Sequence, residues 1–114
     1  MKILKTQNLS SKRDFLDIED VCRGLWAVGL KGKRGEVYNI CSQKEVVIRD
    51  VLLRLIQVSN VKNIIVEEDK QAFVQSFNVI GSNAKLKALS WKPRVSLKQS
   101  LTNTLKSYEN TYRA

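Results

Sequence analysis

Residues 8–42, NLSSKRDFLDIEDVCRGLWAVGLKGKRGEVYNICS, limit what this chain can fold into more than any other stretch. A basic loop carrying an Arg13-Asp14 pair runs into a segment of helical period, a glycine-flanked turn and a short β-forming run. Asp17 is a good N-cap, because its carboxylate can take a backbone N–H that the first helical turn leaves unpaired. Asp20, three residues on, reads as a short variant of the capping box. Both Glu19 and Asp20 lie where the positive end of the helix dipole favours a carboxylate. Ile18, Val21, Cys22, Leu25 and Val28 recur on one face, the predicted buried stripe, with Arg23 off it. Gly24 and Gly29 weaken the helix by about 1 kcal/mol each relative to alanine, and Lys31-Gly32 stops it. Gly35 then precedes Glu36-Val37-Tyr38-Asn39-Ile40, a run short enough and rich enough in β-formers to be a strand.

The rest of the chain repeats this alternation. Ile3 to Leu9 predicts a strand that the Ser10-Ser11 pair breaks. Ile48, Val51, Leu52, Leu55 and Ile56 give the clearest amphipathic helix, with Arg49, Asp50 and Arg54 on the other side. Its start is odd, since Val46 and Val47 stand where a cap belongs. Asn63 to Glu67 predicts a second strand, and Phe73 to Ile80 fits either a strand or an extended connector. Asn83 to Leu89 predicts a short helix; Pro93 forbids its continuation and biases Lys92 to an extended backbone. Ser96 caps a last helix whose stripe of Leu97, Leu101, Leu105, Tyr108 and Tyr112 is predicted to pack inward. The order is β-α-β-α-β, an ambiguous segment, then α-α, which is an α/β pattern. So small a parallel sheet cannot cover both faces well, and the chain reads as part of a sheet.

The length of 114 residues suits one domain and not two, and 43% hydrophobic with 27% charged residues is a globular composition. No apolar run approaches the roughly 20 residues that span a bilayer, and the N-terminus lacks the apolar core of a signal peptide. The expectation is a cytoplasmic protein without membrane contact. Cys22 and Cys41 are the only cysteines and histidine is absent, which excludes the common zinc patterns. Both thiols are expected to be reduced, buried and unreactive. The formal charge of +9 admits an anionic partner, either nucleic acid or a nucleotide diphosphate, or simply a solvated surface. Catalytic machinery is missing: there is no histidine base, Ser-His-Asp set or Walker lysine. Gly29, Gly32 and Gly35 end a helix, whereas a pyrophosphate-binding turn would open one. A Tyr-x-x-x-Lys pair is missing too, because Ser42 follows Tyr38 at that spacing and Tyr112 follows Tyr108.

One larger pattern joins these pieces. Asn8-Leu9, Lys12-Arg13-Asp14-Phe15, Asp17 and Asp20-Val21 follow the order N-L-x-x-x-R-D-F/W-x-D-x-x-D-V, and Arg23, Trp26 and the run from Lys31 to Ser42 continue it. Ile48-Arg49-Asp50 comes next, and Gly81, Asn83, Lys85-Leu86, Leu89, Trp91, Pro93, Ser96-Leu97 and Leu101 close it. In this order and spacing the chain resembles the C-terminal half of the sugar-nucleotide dehydratases and reductases of the extended short-chain dehydrogenase family. The GDP-mannose 4,6-dehydratase and GDP-6-deoxy-D-mannose reductase branch is the most similar.

The resemblance implies a C-terminal fragment holding the last Rossmann strand and the small substrate-binding domain. That means two to four short strands with four helices, and residues 1–114 as a single partial domain. It implies a truncated family member that contributes nucleotide-sugar binding through Asn8 and Arg13 and is not catalytic alone. No residue of the chain is expected to bind cofactor or metal; NADP or NAD belongs to the family's other half, and a GDP-sugar is its ligand. The implied partner is a separate Rossmann half, or a second copy through self-association. The alternative is a basic nucleic-acid-binding or partner-docking module, although no aromatic-basic platform supports nucleic acid. The chain departs from the family where R-P-x-D/E is replaced by Ala72-Phe73-Val74-Gln75. Losing a charged hydrogen-bond partner to a diphosphate costs on the order of 1.5–3 kcal/mol. Gly24 and Gly29 within a helix, Val47 at a cap, Ser82 for an Asp and Ser90 for a helix-ending Gly are milder departures. Glu36–Ile40 is expected to lack its sheet neighbour and to leave an exposed edge and apolar surface, with marginal stability or self-association as the result.

Overall fold

The computed structural model describes residues 1–70 and 80–112. Its elements are β1 Lys2–Thr6, β2 Lys12–Arg13, α1 Ile18–Lys31, β3 Val46–Val47, α2 Ile48–Ser59, β4 Ile64–Glu68, α3 Ala84–Lys87 and α4 Leu97–Tyr112. This is an α/β chain of short strands and four helices, as expected. It divides into two compact units, one of Met1–Arg13, Val46–Asn78 and Leu101–Ala114, the other of Asp14–Glu45 and Val79–Ser100. The replaced segment Ala72 to Gln75 and nearly all of Phe73 to Ile80 lie outside the described residues.

In the first unit β1 and β4 pair in parallel, from Lys2 opposite Ile64 to Thr6 opposite Glu68. Backbone bonds from Lys2 N to Asn63 O (3.0 Å) and from Asp69 N to Thr6 O (2.8 Å) extend the ladder at both ends. β2 and β3 form a second, antiparallel ladder that the sequence did not reveal, with Lys12 opposite Val47 and Arg13 opposite Val46. This ladder explains the uncapped start of α2. The Ile48 N–H donates to Ser11 O at 2.8 Å and the Arg49 N–H to Leu9 O at 2.9 Å. Loop carbonyls therefore satisfy donors that a Ser or Asp cap would have taken, and Val47 stays extended with no side-chain cap. Val51 is buried on α2, Ile48, Leu52, Leu55 and Ile56 are half-buried, and Arg49, Asp50 and Arg54 are exposed, the predicted division. The inward stripe of α4 fails at its end. Tyr108 and Tyr112 are 59% and 78% exposed and stack on each other, with ring centroids 6.0 Å apart.

The second unit is built on α1, whose bounds follow the predicted caps. Asp17 accepts from Glu19 N at 2.9 Å, and the Gly32 N–H closes the last turn on Val28 O at 2.8 Å. The buried face, however, is not the apolar stripe. Ile18, Leu25 and Trp26 are 70%, 61% and 70% exposed, and Cys22 is exposed as well, against the expectation of a buried thiol. Asp20 and Gly24 are buried instead. Gly24 is where the helix meets its neighbours: a Cβ there would stand 3.0 Å from Ile40 Cγ2 and 3.3 Å from Leu86 Cδ2. It is a close-approach residue, so its propensity cost is offset by packing.

Asp20 is no capping-box partner. Its Oδ1 accepts from the Arg94 N–H at 3.0 Å and its Oδ2 from the Val95 N–H at 3.1 Å. Arg23 pairs with it, and the Asp20 carbonyl accepts from the Trp91 indole N–H at 3.0 Å. The carboxylate thus fixes the turn after Pro93 to the first turn of α1. Glu36–Ile40, predicted as a strand, joins no ladder among the described residues. It keeps the alternation of a strand: Tyr38 and Ile40 are half-buried, while Val37 and Asn39 are exposed. A strand needs a ladder partner, and the described residues offer this segment none.

Candidate functional site

Both predicted site residues fall in the first unit, on the loop that leaves the carboxyl end of β1. Asn8 adopts a left-handed backbone, φ 58°, which asparagine tolerates better than most residues. Its carbonyl accepts from Ser11 N at 3.1 Å, so Asn8 makes the turn that returns the chain to β2. Arg13 ends β2 and is exposed. Its Nη1 donates to Lys12 O at 2.7 Å. The carboxylates nearest to it in sequence are engaged elsewhere, since Asp17 caps α1 and Asp14 accepts from Ser42 and Gln43. The guanidinium therefore keeps donors for an anion.

Because β1 and β4 are parallel, their carboxyl ends lie side by side, and the ligands of α/β sheets bind at that end. Two further residues stand there that sequence reasoning did not place in a site. Glu68 ends β4 opposite Thr6, and its Oε2 accepts from Arg49 Nη2 at 3.0 Å. Nothing in the spacing of Arg49 and Glu68 announces the pair; only the β1–β4 and β2–β3 registers bring them together.

The second unit carries a polar cluster of a different kind. Asp14 accepts from Ser42 N (3.0 Å to Oδ2), Ser42 Oγ (2.5 Å to Oδ1) and Gln43 N (2.9 Å to Oδ2). Asn83 is buried; its Nδ2 donates to Cys41 O at 2.9 Å and its backbone N–H to Gln43 Oε1 at 3.0 Å. Burial and then the Asp14 carboxylate push the Cys41 thiol above its ordinary range, against a smaller downward pull from a backbone bond at Gln43. A thiol held protonated in this way is a poor nucleophile. These groups tie residues 41–43 to their neighbours and form no catalytic set. Among the described residues, no group of His, Cys, Asp or Glu could hold a metal ion. No helix among the described residues is long and apolar enough to cross a membrane.

On the same unit, Cys22, Leu25, Trp26, Gly29 and Leu30 line a shallow, open apolar groove along α1. Single exposed apolar residues are ordinary; a row of them on one helix face is a candidate interaction surface.

Residues 1–41 match the model of the NAD dependent epimerase/dehydratase family. The chain is 33% identical over 112 residues to the GDP-6-deoxy-D-mannose reductase of Pseudomonas aeruginosa, covering 96% of this chain and 37% of that protein. It superposes on the structure of RMD from Pseudomonas aeruginosa complexed with NADPH with a TM-score of 0.83 and 32% identity, over 96% of this chain and 36% of that one. The dTDP-glucose 4,6-dehydratase from Bacillus anthracis in complex with NAD gives a TM-score of 0.77 and 27% identity, over 98% and 36%. The chain thus spans a little over a third of the length of the relatives it matches.

Proposed function

We propose that this chain, which belongs to the NAD dependent epimerase/dehydratase family and corresponds to the C-terminal portion of its extended short-chain members, grips a nucleotide sugar for a reaction completed by a cofactor-binding half. One observation carries the reading. The loop from Asn8 to Arg13 leaves the carboxyl end of a parallel strand pair and presents an exposed guanidinium there. A guanidinium suits a diphosphate because it is permanently charged and donates two N–H groups in parallel. The ligand class is a GDP-sugar, in keeping with the reductase from Pseudomonas aeruginosa. The chain binds substrate and does no chemistry alone, since its sequence has neither the glycine fingerprint nor a Tyr-x-x-x-Lys pair.

The partner is a Rossmann half that brings NADP or NAD. Two features of the second unit favour it. The apolar row on α1 is uncovered, and Glu36–Ile40 has the alternation of a strand without a ladder. A sheet lying on α1 and pairing with residues 36–40 would satisfy both. The reading is tested by mixing the chain with the separately produced N-terminal part of the Pseudomonas reductase. Association is expected, with NADPH-dependent turnover of GDP-4-keto-6-deoxymannose that neither part shows alone. A chain that binds no GDP-mannose refutes the grip, and a mixture that neither associates nor turns over refutes the partner.

A further inference from the structure

We propose that Arg49 is a second phosphate-binding residue, facing Arg13 across one diphosphate, and that Glu68 is the residue that positions it; this rests on the nucleotide-sugar reading above. The Asn8–Arg13 loop and the start of α2 form one continuous zipper. Arg13 pairs with Val46 and Lys12 with Val47; the Ile48 N–H then bonds Ser11 O at 2.8 Å and the Arg49 N–H bonds Leu9 O at 2.9 Å. Arg49 is thereby anchored to the residue next to Asn8. Arg49 is the second residue of α2, three residues after Val46, the ladder partner of Arg13. The zipper therefore carries both arginines on one continuous backbone framework.

The Arg49–Glu68 pair has the form of an oriented cation. The Glu68 side chain is only 18% exposed, whereas that of Arg49 is 50% exposed. Pairing with Thr6 in the β1–β4 ladder fixes the backbone of Glu68. The Nη2 to Oε2 bond at 3.0 Å tethers one end of the guanidinium to that carboxylate. A guanidinium has five donors in a rigid fork, so most of them stay available on the solvent side. Arg13 at the end of β2 and Arg49 in the first turn of α2 together offer two such forks to the same ligand.

The test titrates GDP, with guanosine as the phosphate-free control, into the 114-residue chain and into Arg13→Gln, Arg49→Gln, Arg49→Lys and Glu68→Gln variants. Isothermal titration gives affinities, and thermal melts run in parallel. Arg49→Gln is expected to weaken GDP about tenfold and leave guanosine unchanged. Arg49→Lys recovers only part of the loss, because an ammonium lacks the fork. Glu68→Gln loses the carboxylate that orients Arg49 but keeps the guanidinium itself, so it is expected to weaken GDP by about threefold, less than Arg49→Gln, with guanosine again unchanged. Equal losses in the two variants, or no loss in Glu68→Gln, overturn the proposal. So does Arg49→Gln binding like wild type while Arg13→Gln loses GDP, an outcome that leaves the nucleotide-sugar reading standing. Failure of the wild-type chain to bind GDP overturns both.

Discussion

Replacing Asp20 by alanine tests what holds the second unit together. The change removes a fully buried carboxylate that accepts from two backbone N–H groups at 3.0 and 3.1 Å and pairs with Arg23. The Arg94 and Val95 N–H groups lose a charged acceptor, each worth about 1.5–3 kcal/mol, and these losses do not add in full because both serve one turn. The Arg23 left behind is 32% exposed and can hydrate, so the cost comes mainly from the two orphaned N–H groups, about 3 kcal/mol in all. Urea denaturation followed by tryptophan fluorescence reads this unit directly, since both Trp26 and Trp91 belong to it. With a slope of roughly 1–3 kcal/mol/M, the midpoint of Asp20→Ala is expected to fall by about 1–3 M. Arg23→Met is the control. It leaves both backbone bonds in place and is expected to cost less than half as much. A midpoint shift below about 0.3 M for Asp20→Ala refutes the reasoning, as does an equal cost for the two variants.

Ser90 has a left-handed backbone, φ 66°, which costs a residue with a Cβ about 1 kcal/mol; Ser90→Gly is expected to raise the melting temperature, and an unchanged or lower one refutes this. Leu25→Lys, on a face that the periodicity assigned to the core, is expected to change stability by less than about 0.5 kcal/mol because Leu25 is largely exposed; a loss near 2 kcal/mol measured in urea would contradict the placement. Iodoacetamide at pH 8 is expected to label Cys22 well before Cys41, with peptide mass spectrometry as the readout and equal rates as the contrary result. The Cys41 thiol is raised in the folded state, so its contribution is complete below an unfolded value of about 8.5 and is lost as pH rises through the folded one. Urea midpoints should therefore fall less between pH 7.5 and 10, values chosen to bracket that about 8.5, in Cys41→Ala than in wild type.

Element types and most bounds were legible wherever a local signal agreed with the tertiary structure. Asp17, Gly32 and Ser96 marked helix ends through caps that need only neighbouring residues; the Ser96 hydroxyl, for example, accepts from Gln99 N at 3.1 Å. The α2 stripe was legible because its apolar face is the buried one. α1 misled for the opposite reason. Of its apolar stripe Ile18, Cys22 and Leu25 face outward while Val21 and Val28 are half-buried, and its fully buried positions are a carboxylate and a glycine, Asp20 and Gly24, which no hydrophobic periodicity can flag. The β2–β3 ladder was invisible because each strand has only two residues and the pairing is with a distant loop. Of the candidate site, Asn8 and Arg13 could be named from their motif. Arg49 and Glu68 could not, because two separate registers bring them together. Val47 shows the same limit, since its missing cap is supplied by the carbonyls of Ser11 and Leu9.

The parallel pairing of β1 with β4 also dictates the order of events during synthesis. Thr6 Oγ1 donates to the Glu67 carbonyl at 2.8 Å, 61 residues further along the chain. At roughly 5–20 residues per second on the ribosome, the first strand waits about 3–12 s for its partner to be made. Ile3 and Leu4, on a strand exposed even in the finished fold, spend that interval as an unpaired apolar edge. α1, whose caps are all local, can form meanwhile. Within this stretch the nascent chain is therefore open to capture by a chaperone, or by another strand, at Ile3 and Leu4, and that vulnerability ends when Ile64 to Glu68 emerge.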